Sequence, residues 1–72
     1  MVSEIDKEIL RIANEAPCKE GILRRQLRLR YEDVGLHTIA VRAHINELTQ
    51  DGHLRETEGG KYVIAESGKE LI

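Results

Sequence analysis

The sequence predicts a small, mostly helical α+β domain in which three helices precede a β-hairpin and a short terminal helix. Three observations carry this. Apolar residues recur at helical spacing through three separate stretches up to Gln50. Beyond Gly52 the pattern changes to short, β-prone pieces on either side of Glu58-Gly59-Gly60. A chain of 72 residues has room for one small core, so all of these elements must share it within a single domain.

Ile5, Ile9, Ile12 and Ala16, with Leu10 and Ala13 beside them, make residues 4–15 an amphipathic helix. Ser3 followed three residues on by Asp6 reads as a capping box at its start. Pro17 ends it, because the residue before a proline is pushed out of the helical region and the ring cannot continue the ladder. A second helix is expected to start near Lys19 or Glu20. Leu23, Leu27, Tyr31 and Val34 lay one stripe along residues 20–32, until Gly35 breaks the run. Val41, Ile45 and Leu48 define a third helix from Thr38 to Gln50, with Thr38 as its N-cap and Asp51-Gly52 as a glycine C-cap. Residues 53–57 and 61–64 read as two strands around the glycine turn. Residues 65–72 return to a short helix that Gly68 weakens. The core must be aliphatic, since Trp and Phe are absent while there are eight Leu, eight Ile and four Val.

Composition excludes several classes. Hydrophobic residues make up 40% and charged residues 33%, which fits a folded globular chain better than a disordered or membrane one. Aromatics are 3%, too few for the base-stacking platforms of single-strand modules. Cys18 stands alone and cannot close an intramolecular disulfide, so a reducing, cytoplasmic home is expected. The N-terminus has no basic and apolar leader, and no apolar run approaches the roughly 18 residues of a membrane span, so no membrane partner is expected. No phosphate loop, nucleophile elbow or metal-protease motif is present, which argues against an enzyme, a cofactor or a small-molecule site. His37, His44, His53 and Cys18 match no zinc-ligand spacing, and no metal is expected. The net charge of −2 hides a distribution that matters more. Residues 1–18 and 45–72 are acidic, whereas the middle sets Lys19, Arg24, Arg25, Arg28, Arg30 and Arg42 against only Glu20, Glu32 and Asp33.

Three helices and a hairpin in this order, with the tight junction Gln50-Asp51-Gly52-His53-Leu54, resemble the winged helix-turn-helix domains of prokaryotic transcription regulators over nearly the whole chain. Ala40-Val41-Arg42-Ala43-His44-Ile45, followed by Leu48 and Asp51-Gly52, is similar to the recognition helix of that superfamily and its exit. The run Tyr62-Val63-Ile64-Ala65-Glu66-Ser67-Gly68-Lys69-Glu70-Leu71 is similar to its second wing strand passing into the C-terminal helix. A narrower resemblance, on the Ala-Val-Arg-x-His run, is to the N-terminal winged helix of archaeal nitrogen-regulator repressors. The resemblance implies a bacterial or archaeal transcription regulator, of repressor type, that binds double-stranded DNA with the helix at 38–50 in the major groove, commonly as a homodimer.

On a helical wheel Val41, Ile45 and Leu48 gather on one side, and Ile39, Arg42, Ala43, Asn46 and Gln50 fall across the other. That outward set suits a major groove: arginine grips guanine, asparagine or glutamine pairs with adenine, and Ile39 and Ala43 meet thymine methyls. Residues near the start of a recognition helix reach base edges, so Thr38, Ile39, Arg42, Ala43 and Asn46 are the expected base readers. Arg25 and Arg28, sharing the face away from Leu27, are expected to hold the DNA backbone together with His37 and Lys61. Glu56 and Glu58 beside the turn would repel phosphate. Ile22 and Leu29 lie opposite Leu23 and Leu27 and form an exposed apolar pair suited to a dimer or partner contact. Each assignment competes with plain solvated surface. The acidic ends and the apolar pair also leave a second function open, a winged-helix protein–protein interaction module without DNA binding.

Overall fold

The computed structural model describes residues 2–30 and 38–72, except for the side chains of residues 38 and 39. Helix α1 (Glu4–Glu15) starts on the expected capping box. The Asp6 N–H donates to Ser3 Oγ at 3.2 Å, and the Ser3 N–H donates to Asp6 Oδ2 at 3.0 Å, so two orphan donors of the first turn are satisfied reciprocally. The helix buries Ile9, Leu10, Ile12 and Ala13, and with them Asp6. Ala16 does not continue the stripe: it is the C-cap, in extended backbone as its following proline requires, and it faces solvent.

A two-residue strand, β1 (Cys18–Lys19), follows Pro17. The sequence does not announce it, because two residues are too few to show alternation. Helix α2 (Glu20–Arg30) starts at once and buries Leu23 and Leu27. Tyr31, Val34 and Gly35, expected to complete and end its stripe, lie outside the described residues. Helix α3 (Thr38–Gln50) already includes Thr38, the expected N-cap, and the residues just before it lie outside the described residues. Val41, Ile45 and Leu48 are buried as the wheel predicts. The helix ends on its glycine: Gly52 has φ 81°, its N–H donates to the Thr49 carbonyl at 3.1 Å, and the His53 N–H donates to the Leu48 carbonyl at 2.9 Å. That pair of bonds is a Schellman motif, whose left-handed residue favours glycine.

Strands β2 (Leu54–Glu56) and β3 (Lys61–Ile64) form the hairpin. The first is shorter than the 53–57 segment the β-prone residues suggest, because His53 is taken up by the helix exit. At the turn the Gly60 N–H donates to the Thr57 carbonyl at 3.0 Å, and Gly60 has φ 77°. Strand β1 pairs on the other edge of β3, giving an antiparallel sheet of order β1-β3-β2. Helix α4 (Glu66–Lys69) closes the described chain. Gly68, which weighs against a helix by propensity, is what allows this one to sit where it does. A Cβ there would collide with the His53 carbonyl oxygen and come within 2.9 Å of Ile64 Cγ1.

The architecture is thus α+β and mostly helical, with a three-stranded antiparallel sheet. Side chains from α1, β1, α2, α3 and β2 share one aliphatic core, against which Tyr62, Ile64 and Leu71 pack. Among the described residues no helix is long and apolar enough to cross a membrane.

Candidate nucleic-acid interface

Helix α3 is tied on both flanks. On one side His44 Nδ1 lies 2.7 Å from Oδ1 of the buried Asp6. A carboxylate can only accept, so Nδ1 carries the proton of that bond and α3 is pinned to the first turn of α1. On the other side the Arg42 guanidinium forks onto Glu20 at the start of α2, with Nε 3.2 Å from Oε1 and Nη2 3.1 Å from Oε2. This carboxylate pushes the guanidinium pKa further above its already high value. The Arg42–Glu20 pair was not anticipated from sequence, since the two residues are far apart in the chain. Tyr62 flanks the same corner. Its phenol is pushed up mainly by burial and then by the carboxylates of Glu56 and Glu20, against an opposing effect of Arg42.

Between the two ties the outer face of α3 is open. Arg42, Asn46 and Gln50 follow one another at four-residue steps and are all exposed, with Ala43 and Glu47 beside them. Four residues turn a helix by little more than one revolution, so the three polar side chains form a single slanting line. Of the expected base readers, Ala43 and Asn46 therefore lie on the open face, and Arg42 lies at its edge with its guanidinium tied to Glu20. Thr38 and Ile39 belong to the same helix, and their side chains lie outside the described residues.

The four arginines of α2 divide into two pairs. Arg24 reaches back to Glu20, with Nε 4.0 Å from Oε2. Arg30 bridges to α1, with Nη1 2.7 Å from Glu8 Oε2 and Nη2 3.3 Å from Glu15 Oε1. The bond from Arg30, helped by Arg11 and working against burial, holds the Glu8 carboxyl below its ordinary range. Arg25 and Arg28 are exposed and make no ion pair among the described residues. His37, the third expected backbone contact, lies outside the described residues.

The sheet gives Lys61 a setting that the sequence did not reveal. Lys61 is the cross-strand partner of Lys19, and Arg55 is the partner of Val63. Alternation then puts Lys19, Lys61, Val63 and Arg55 on the outer face, while Cys18, Leu54, Tyr62 and Ile64 point to the core. Lys19 and Arg55 are the residues that sequence reasoning missed, and only the pairing register could have found them. Glu56, expected to oppose phosphate beside Lys61, is the partner of Tyr62 and so falls on the opposite face. Glu58 stays exposed in the turn. Two lysines directly opposite each other cost stability, and neither has a carboxylate partner among the described residues.

Ile22 and Leu29 are 45% and 65% exposed, on the side of α2 away from its buried leucines. Cys18 is buried opposite Tyr62, and burial pushes its thiol up, which leaves little thiolate for chemistry. His53 Nδ1 lies 3.0 Å from Ser67 Oγ, which itself donates to the Gly52 carbonyl at 2.9 Å, so this pair braces the helix exit. Among the described residues no group of His, Cys, Asp and Glu is placed to hold a metal ion. Compared with family models, curated proteins and solved structures, the chain matches none.

Proposed function

We propose that the chain is a winged helix-turn-helix domain that binds double-stranded DNA in transcription regulation, with α3 in the major groove and the β2–β3 hairpin as the wing. The observation that carries this reading is the line Arg42, Asn46, Gln50 on the open face of α3. These are the side-chain types that read guanine and adenine edges bidentately, set on a helix whose flanks are locked to α1 and α2. Support comes from cations that have no ion-pair partner among the described residues: Arg25 and Arg28 on α2, and Lys19, Arg55 and Lys61 on the outer sheet face, are of the kind that neutralises phosphates.

The test is a titration of mixed-sequence duplex into the protein at low and moderate salt, read as backbone amide shifts. Shifts centred on residues 38–50 and on Arg25 and Arg28, fading with salt, are expected. Arg42→Ala should weaken an enriched site roughly ten- to a hundredfold and relax its sequence preference. Arg28→Ala should weaken all duplexes alike and flatten the salt slope by about one. Absence of any shift at low salt sinks the reading. The exposed Ile22 and Leu29 favour the second function, a protein-interaction module, and a silent DNA titration would leave that one standing.

A further inference from the structure

The geometry points to Glu20 as a positioning residue that holds Arg42 end-on toward a guanine and so sets a base preference of the α3 face; this rests on the DNA reading above. A guanidinium carries five N–H donors in a rigid plane. The fork to Glu20 uses the Nε–H and one N–H of Nη2. The end of the plane, one N–H from Nη1 and the second from Nη2, presents two parallel donors that meet no acceptor among the described residues. That edge matches the O6 and N7 acceptors of guanine in the major groove.

The two partners differ in the way a brace and a reader should. Glu20 is sheltered, its side chain 21% exposed, and it sits at the first position of α2, where the helix N-terminus favours a carboxylate. Arg24 approaches the same carboxylate, with Nε 4.0 Å from Oε2. The Arg42 side chain is 58% exposed and lies in line with Asn46 and Gln50. A free arginine samples many rotamers and grips phosphate as readily as a base. Fixing it before binding lowers the entropy lost on recognition and aims it at one edge. The carboxylate also opposes the field that attracts phosphates, so it trades sequence-blind affinity for selectivity.

Opposite signs in two readouts test this. Short duplexes with a randomised centre are enriched over the wild-type protein, then over Glu20→Gln, Arg42→Lys and the double variant. Binding of unselected duplex is measured by fluorescence anisotropy, and folding is checked by thermal melts. Wild type should enrich guanine at one position by roughly tenfold over other bases. Glu20→Gln should bind unselected duplex as tightly as wild type or tighter, while its preference at that position falls toward parity. Arg42→Lys should lose the same preference, and adding Glu20→Gln to it should change the preference no further. Tighter binding by Glu20→Gln with the guanine preference intact would make Glu20 a mere repelling charge; the positioning role would be overturned and DNA binding would stand. No binding by wild type or any variant at low salt would overturn both.

Discussion

Helices α1 and α2 have twelve and eleven residues, yet they use them differently. α1 buries five side chains, and its charges are all engaged: Lys7 with Glu4, Arg11 and Arg30 with Glu8, Arg30 with Glu15, and Asp6 with Ser3 and His44. α2 buries only two, leaves Arg25 and Arg28 unpaired among the described residues, and turns Ile22 and Leu29 to solvent. Folding accounts for the sequence of α1. It accounts for one face of α2, and what remains there is the kind of surplus that a binding partner would use.

The contrast breaks or sharpens first on apolar truncation. Leu10→Ala in α1 empties a fully buried site and should cost about 2–5 kcal/mol in urea unfolding, a large share of what so small a domain has. Leu29→Ala in α2 should cost within about 0.5 kcal/mol, as expected for an exposed side chain. If Leu29→Ala proves costly, and more so at higher protein concentration, the outer stripe of α2 is covered by a second copy in solution, and the contrast between the helices fails there.

Next in size is the polar anchor of α1. Ser3→Ala removes one bond of the capping box and should cost about 0.5–2 kcal/mol. Asp6→Ala removes the other and also the acceptor for His44, so it should cost about 1–3 kcal/mol. A double-mutant cycle with His44→Ala isolates the link between α1 and α3. Equal costs for Ser3→Ala and Asp6→Ala, with no coupling to His44, would mean that α3 is seated by its apolar face alone.

Most of α1 was legible because its signals are local. Ser3 and Asp6 are three apart, Pro17 acts on its neighbour, and the apolar stripe repeats within a dozen residues. The same holds for the C-cap at Gly52 and the turn at Gly60, where the chain needs a left-handed residue. What sequence reading missed is pairwise and distant. β1 exists only because Cys18 and Lys19 find Tyr62 and Lys61. Lys19 and Arg55 join Lys61 only through that register, which also carries Glu56 to the other face. Arg42 could be picked out as an outward-facing arginine from the wheel alone, but the carboxylate it forks onto, Glu20, lies on another helix. Gly68 weakens the last helix by propensity, whereas its meaning lies in the close approach of His53, which no local rule contains.

The smallest expected effect sits where the two helices meet. Arg30 of α2 holds the Glu8 carboxyl of α1 below its ordinary range. A carboxyl depressed in the folded state binds its proton less readily there than in the unfolded chain. The stability it contributes is therefore complete above the unfolded value, near pH 4.3, and is lost as the pH falls through the lower folded one. Arg30→Gln should remove the larger part of this contribution and leave that of Arg11, so at neutral pH it should be less stable than wild type by about a few tenths of a kcal/mol, the usual size of a surface pair. The gap should shrink in urea titrations carried below pH 4 and close at the acid end. A gap that persists unchanged there would assign the loss to packing of the arginine stem between the helices rather than to its charge.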